Sequence, residues 1–282
     1  MIKTKHPQFR DPILSRLWIS RAFSSFFVFF LTANAFALPI FAQERAGRTL
    51  TPLQFEIQKQ RERLSAADVE ERRDAVMRLK ALRHPDASRA AVSALKDNLA
   101  IVRATATSAV LKLPSEEAAT SLLPLLDDKD EFVRQEAAYA LGHTHSKTAV
   151  APLIERLTSD KKDGVRGAAA VALGQIADEA AVVSLAQILS PQIGLPGSRK
   201  SKRQPNDLVL RAAAHSLGQI ASRAGVPALV VALDDEKAPD DVRREAAFAL
   251  GQIGDPSARQ ALQRVLLARD PYLAFAAKKA LR

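Results

Sequence analysis

The chain has 282 residues, of which 47% are hydrophobic, 26% charged and 5% aromatic, and it contains no cysteine. Such a composition is too apolar for a disordered chain. The lack of cysteine excludes disulfides, thiol nucleophiles, thiolate zinc sites and iron–sulfur clusters. The net charge is +10; residues 1–42 hold five Lys or Arg and one Asp and so carry +4, which leaves +6 for the rest. This modest excess, interspersed with acidic residues, does not indicate a nucleic-acid binder.

The first predicted element is an export signal at residues 1–42. Residues 22–42 carry no charge, follow a basic stretch and end in small residues, which is the layout of a secretory signal peptide. Cleavage after Ala37 or after Ala42 fits, and we favour Ala42 because Pro39 would break the helix just upstream. The alternative is an uncleaved membrane anchor, since 21 apolar residues can span a bilayer. Both alternatives place residues 43–282 outside the cytoplasm, in the periplasm or secreted.

A polar lead-in and a first predicted helix occupy residues 43–64, and beyond them the sequence repeats. The motif V-R-x-x-A-A-x-A-L-G recurs, in strong or weak copies, with spacings of 31, 31, 32, 44, 33 and 31 residues. A near-constant period of this length is typical of repeat architectures. The copies start, at what we number motif position 0, at Glu71, Val102, Val133, Val165, Val209, Val242 and Leu273.

Each copy has the periodicity of an amphipathic helix. Apolar residues at positions 0, 4, 5, 7 and 8 mostly share one helical face, and the Ala residues among them permit close approach of another helix. Gly at position 9 is placed near the helix end, where a small residue eases termination. A second, antiparallel helix follows, and its N-cap candidates are Asp86, Ser115, Ser146, Asp178, Ser222 and Asp255.

One pair of helices cannot bury its apolar faces alone, whereas stacked pairs can. The sequence therefore predicts an all-α fold, an α-solenoid (superhelix) of about seven two-helix repeats at 65–282.

The pattern D-x-x-V-R-x-x-A-A-x-A-L-G-x-I, followed by a turn and Asp, resembles the short HEAT repeat of the phycobilisome-lyase type. The resemblance covers about residues 65–282. It implies a structural ladder between neighbouring units, made by the Arg after the motif start and the Asp before it. Leu210 interrupts this series, which suggests a looser joint there. The implied ladder residues are Arg103, Arg134, Arg166 and Arg243, with Asp130, Asp163 and Asp240 or Asp241.

The 44-residue spacing contains an insertion at 190–207 with three Pro and two Gly, which predicts an exposed loop. Insertions in solenoids often lie on the binding face, so the loop is a candidate contact for an anionic partner or membrane phosphates. The alternative is a flexible surface loop without a partner. Its basic residues are Arg199, Lys200, Lys202 and Arg203.

No catalytic motif is present: the sequence lacks a phosphate-binding Gly-rich loop, a zinc-binding H-E-x-x-H and a nucleophile elbow. His143 and His145 form a close pair, but no further metal ligands are obvious. Two enzyme classes share the repeat that this sequence resembles. Deoxyhypusine hydroxylases use His-Glu pairs as iron ligands, which are missing here, and bilin lyases act in the cytoplasm, which the export signal opposes. We expect no catalytic residue, metal or cofactor; an enzyme or enzyme-accessory factor of the same family is the alternative.

A binding surface remains. In HEAT-like stacks the motif helix lines the concave side, and its positions 2, 3, 6 and 10 lie opposite the apolar face. These positions supply amphipathic side chains beside Gln and Arg, which suit an extended peptide. The alternative is that Phe248 packs between helices and the Gln residues only face solvent. The predicted contact residues are Gln135, Tyr139, His143, Gln175, Arg211, His215, Gln219, Arg244, Phe248 and Gln252. The sequence thus predicts an exported scaffold for a partner protein or peptide in the cell envelope.

Overall fold

A computed structural model describes residues 50–191 and 204–282, and both ranges are all-α, as predicted. The chain divides into two units, 1–51 and 52–282, and the second holds the repeats. The predicted signal segment at 1–42 lies outside the described residues, as do Arg199, Lys200, Lys202 and Arg203. Within the described ranges no helix is both long enough and apolar enough to cross a membrane.

The described ranges contain fourteen α-helices. In chain order they are α1 (Pro52–Arg63), α2 (Val69–Ala81), α3 (Pro85–Ala91), α4 (Ala100–Ala109), α5 (Ser115–Leu122), α6 (Glu131–Thr144), α7 (Val150–Ser159), α8 (Asp163–Ile176), α9 (Val182–Leu189), α10 (Asp207–Ile220), α11 (Val226–Asp234), α12 (Asp240–Ile253), α13 (Arg259–Arg264) and α14 (Pro271–Ala280). The even-numbered helices contain the seven motif starts, and we call them motif helices. The odd-numbered helices from α3 to α13 return the chain to the next repeat, and we call them return helices.

Most predicted N-caps are confirmed. Four of them each accept a backbone hydrogen bond at the start of a short 3-10 turn that leads into a return helix; these are Ser146, Asp178, Ser222 and Asp255. Two predictions are wrong. His84 caps α3, because Pro85 takes the first helical position and leaves Asp86 inside the first turn. Helix α5 begins at Ser115 itself, after Pro114, without a side-chain cap.

The position-9 glycines lie near the helix ends, as predicted, but they are not the residues at which the helices end. Helices α6, α8, α10 and α12 continue for two residues beyond that glycine. They end where the next residue enters the left-handed region, with φ between 54° and 67°. That conformation favours glycine but is taken here mostly by other residues; they are His145, Ala177, Ala221 and Gly254.

The glycines instead allow neighbouring motif helices to approach closely. A Cβ atom placed on Gly218 would lie 2.9 Å from the Cα of Ala249 in the next motif helix. One on Gly142 would lie 2.8 Å from the Cα of Ala172. Any side chain at these sites would therefore collide with the backbone of the next helix.

Consecutive motif helices pack directly on one another from α2 to α14, whereas consecutive return helices have few direct contacts. The motif helices thus form the closely spaced inner row of the stack. The core between the two rows is aliphatic, and no aromatic side chain is among the buried residues of the described ranges. Small Ala side chains let the helices approach, while Leu and Val fill the space between the rows.

Candidate binding surface and the inter-repeat ladder

A ladder of ion pairs ties the repeats together. The guanidinium of Arg103 donates from Nε to Oδ2 of Asp128 at 2.7 Å and from Nη2 to Oδ1 at 2.8 Å. Its Nη1 donates to the backbone oxygens of Asp97 and Asn98 in its own repeat. The same arrangement joins two further pairs, Arg72 with Asp97 and Arg134 with Asp160. Each arginine therefore connects the turn before its own helix to the turn of the next repeat.

The acidic partners differ from those that the family resemblance implied. Arg103 binds Asp128, five residues before the next motif start, and not Asp130, three residues before it. Asp130 is the N-cap of α6, and its carboxylate accepts from the backbone N–H of Phe132 at 2.9 Å. The helix terminus thus occupies the later carboxylate, which leaves the earlier one for the arginine of the preceding repeat.

Among the described residues, two predicted ladder arginines form no ion pair with an aspartate of the next repeat. Arg166 is fully buried, donates to the backbone oxygen of Leu157 at 3.1 Å and pairs with Asp163 of its own helix at 2.9 Å. Arg243 donates to the backbone oxygen of Leu233 at 3.1 Å. In the pairs described above, the aspartate stands five residues before the next motif start. That position is occupied by Gln204 in the repeat after Arg166 and by Ala268 in the repeat after Arg243, and neither residue has a carboxylate.

Arg244, predicted as a groove residue, makes a further structural link between repeats. Its Nε lies 2.7 Å from Oδ2 of Asp270 in the next repeat, and its Nη1 lies 2.8 Å from Oδ1 of Asp241. Its guanidinium carbon also lies 5.2 Å from the ring centroid of Tyr272. Asp241, predicted as a ladder residue, thus pairs within its own helix, and Asp240 approaches the same Arg244 only to 3.9 Å.

The ladder carboxylates are well shielded from solvent. The Asp160 side chain is 3% exposed, and burial alone would raise its pKa. The hydrogen bonds from Arg134 and from the backbone N–H of Lys162 lower it more, so the pKa of Asp160 lies below its ordinary value. The pKa values of Asp97 and Asp128 are lowered for the same reasons. These carboxylates are therefore held in the charged form by their partners.

Several predicted groove residues are used in helix contacts. Gln135 is half-buried, and a Cβ on Gly164 of α8 would lie 2.7 Å from its Oε1. The Oε1 of Gln175 is buried without a hydrogen-bond partner among the described residues. Three Gln side chains place their amide oxygens over the position-9 glycine of the preceding motif helix; they are Gln175, Gln219 and Gln252. Their oxygens therefore fill the space that the missing side chains leave.

The predicted residues at the C-terminal end do converge. His215, Phe248 and Gln252 line a cavity of about 330 Å³ between α10, α12 and α14. Nδ1 of His215 lies 2.8 Å from Oε1 of Glu245, and Nζ of Lys279 lies 5.8 Å from the ring centroid of Phe248. The cavity thus combines an aromatic wall, a cation and a His–Glu pair on the inner row of helices.

Sequence reasoning missed the two charged residues of this cavity, Glu245 and Lys279. They stand at motif positions 3 and 6 of α12 and α14, on the helix face that was predicted to bind. A search for charged residues at these positions in all seven copies could have found them.

Three other predicted contact residues do not line the cavity. Tyr139 is partly buried and packs on the core. His143 is exposed near the end of α6. Arg211 is exposed and lies 3.8 Å from Asp241. The candidate surface is therefore a row along the helices with one cavity at its C-terminal end.

The profile of HEAT repeats matches residues 57–142, 122–192 and 200–282, which is most of the chain. The chain belongs to the HEAT-repeat family. A sequence comparison with curated proteins gave no match.

Several solved structures resemble this HEAT-repeat protein. An engineered protein is 23% identical with a TM-score of 0.50, and the match covers 80% of this chain and 67% of that chain. The complex of CpcE and CpcF of phycocyanin lyase from Nostoc sp. is 25% identical with a TM-score of 0.49, covering 84% of this chain and 88% of that one. Human deoxyhypusine hydroxylase is 21% identical with a TM-score of 0.39, covering 81% and 96%. These likenesses concern the fold.

Metal-ligating side chains do not cluster in the part of this HEAT-repeat protein that the structure describes: no group of three or more His, Cys, Asp or Glu is placed to hold an ion. Within the predicted His143 and His145 pair, Nδ1 of His145 lies 2.8 Å from the backbone oxygen of Gln175 in the next repeat. The contact makes His145 a further link between repeats.

Proposed function

We propose that this HEAT-repeat protein is an exported scaffold that binds a partner protein or peptide of the cell envelope through the inner row of motif helices, with no catalysis of its own. The observation that carries the proposal is the cavity between α10, α12 and α14. It offers an aromatic side chain, Phe248, and a cation, Lys279, on the inner row of motif helices.

The cavity has the properties of an interface hot spot. Phe248 is partly buried and packs against the core, so its ring is held in place before a partner arrives. A preorganised aromatic loses little conformational entropy on binding. The volume of about 330 Å³ suits one large side chain of a peptide, and the neighbouring motif helices would contact the residues on either side.

The fold supports the same proposal, because a stack of helix pairs presents equivalent side chains at regular spacing along one surface. The spacing of 31–33 residues in most intervals also supports our inference that the repeats are of the phycobilisome-lyase type. In this proposal the repeats supply rigidity and spacing, and the partner supplies any chemistry.

Photo-crosslinking tests the groove. We expect a photoreactive phenylalanine analogue placed at position 139 or 248 of the full chain, produced in its own host, to form an adduct with one and the same protein. The same analogue at Glu155, an exposed residue of return helix α7, should not form that adduct. Phe248→Ala should reduce adduct formation from position 139 about tenfold, because a hot-spot aromatic contributes more than about 1 kcal/mol. Adducts formed only from position 155 would contradict the proposal that the partner binds to the inner row of motif helices.

Export is tested by the mass of the purified protein. Trp18 is the only tryptophan, so a chain cleaved after Ala42 would contain none. We expect protein from the envelope fraction to begin at Gln43 and to lack tryptophan emission. An intact N-terminus in the membrane fraction would mean that the segment is an anchor, and full-length protein in the cytoplasm would contradict export.

A further inference from the structure

A second cleft, of about 1130 Å³, lies at the turns that join the last repeats. It shares no lining residue with the cavity at Phe248. Its walls come from the segment between α11 and α12 and from the segment between α13 and α14. Three arginines line it, Arg243, Arg264 and Arg269, and so does the aliphatic side chain of Leu267.

The cleft lies where the ladder lacks an aspartate. Ala268 occupies the position that Asp128 has in an earlier repeat, five residues before the motif start. The two positions share the same backbone turn. The N–H of Ala268 donates to the backbone oxygen of Val265 at 3.1 Å, and the N–H of Asp128 donates to the backbone oxygen of Leu125 at 3.2 Å. The turn is therefore preserved without its carboxylate.

Arg243 stands at the ladder position of its own repeat but has no carboxylate to bind. The neighbouring pair of Arg244 and Asp270 makes the link to the next repeat instead. Arg243 donates from Nε to the backbone oxygen of Leu233, and its Nη groups have no partner in the described part of the chain. Arg269, an exposed residue of the same cleft, also forms no ion pair or hydrogen bond with a described side chain. Two guanidinium groups thus offer donors to a ligand.

The remaining charges favour a carboxylate over a phosphate. Two of the acidic residues in the lining are already paired, Asp234 with Arg264 and Asp270 with Arg244. Glu236 and Asp240 keep negative charge in the cleft and would repel a dianion more strongly than a monoanion. A carboxylate also matches the planar donor fork of arginine, as it does in the ladder itself.

A protein segment explains the rest of the lining better than a free ion does. Leu267 is 96% exposed, although it borders the cleft. An apolar side chain next to the bound carboxylate could pack on it and remove it from water. The cleft volume also exceeds what a single carboxylate needs.

We infer that this cleft is a binding site for an aspartate or glutamate side chain of a partner protein, whose carboxylate takes the place of the missing ladder aspartate and binds Arg243 and Arg269. Leu267 contacts an apolar residue beside it. The site is independent of the groove at Phe248, so the two proposals can fail separately.

The test is an NMR titration of the full chain that follows the arginine Nε–H resonances. The probe is an acetylated and amidated five-residue peptide with one aspartate followed by leucine, and its matched control carries asparagine instead. We expect the aspartate peptide to shift the resonances of Arg243 and Arg269 and to bind about tenfold more tightly than the asparagine peptide, because hydrogen bonds to charged groups are strong.

The Ala268→Asp variant is the decisive one, because it supplies a tethered carboxylate that competes with the peptide. We expect it to bind the peptide about tenfold more weakly while it melts no lower than the original chain. Arg243→Gln should weaken binding similarly, and Arg223→Gln, at an exposed arginine of another repeat, should change nothing. Unaltered peptide binding by a folded Ala268→Asp variant, equal binding of the two peptides, or tighter binding of inorganic phosphate would overturn the inference.

Discussion

Replacing Asp160 with alanine is expected to lower the free energy of unfolding by about 3 kcal/mol or more. The Asp160 side chain is 3% exposed and that of Arg134 14%, so the substitution leaves a nearly buried guanidinium without its counter-charge. Chemical denaturation of the full chain, followed by far-UV circular dichroism, measures the loss. Because the pair joins two repeats, we expect the transition to broaden as well as to shift, since a weakened interface lowers cooperativity along a repeat array.

Two controls separate this effect from a general cost of substitution. The double variant Arg134→Met with Asp160→Leu removes both charges and should recover most of the stability. Glu70→Ala breaks the exposed pair with Arg73 and should cost less than about 1 kcal/mol. If Asp160→Ala costs no more than Glu70→Ala, the ladder does not stabilise the array.

The same pair predicts how stability depends on pH. The pKa of Asp160 is lowered in the folded chain. Its contribution is therefore complete above the unfolded value of about 3.9 and is lost as the pH falls through the folded value. The stability difference between the original chain and Asp160→Ala should accordingly shrink in acid and stay constant around neutral pH.

Gly218→Ala is expected to destabilise the array by about 2 kcal/mol, although glycine-to-alanine changes within helices usually stabilise. The added Cβ would lie 2.9 Å from both Cα and Cβ of Ala249, so helices α10 and α12 would have to separate. The matched control is Gly167→Ala in α8, where the new Cβ would meet only the Leu208 side chain, at 3.4 Å. That substitution should raise stability by up to about 1 kcal/mol. Thermal unfolding of the two variants measures whether each substitution raises or lowers stability. A gain in stability for Gly218→Ala would show that the close approach of helices α10 and α12 is not required.

The fold was largely predictable because its signals are local and repeated. The spacing of the motif starts and the Ala, Leu and Val pattern around them report which face of each helix is buried, and the structure has a helix at every motif start. Four of the six N-cap predictions hold, because a cap depends only on the residues of its own turn. Asp86 and Ser115 fail because a proline beside each of them sets where the helix begins.

The candidate site was less predictable. His215 and Phe248 follow from motif position 6, but their neighbours Glu245 and Lys279 come from the next motif helices, so the cavity depends on how the helices stack. Arg244 has the same motif position as Arg211, yet it faces Asp270 and forms a structural link. A helical wheel gives the direction of a side chain around its own axis, but not the acid that the next repeat presents to it.

The amino-acid sequence by itself therefore determined the repeat, the helix pairs and the aliphatic core, because burial of one helical face is encoded within each copy. Only the tertiary structure decided which aspartate each arginine binds, that the position-9 glycines admit a neighbouring backbone, and that Ala268 leaves a cleft beside Arg243. The reason is that these features lie between repeats, where a displacement of two residues in a turn or the loss of one side chain changes which groups meet.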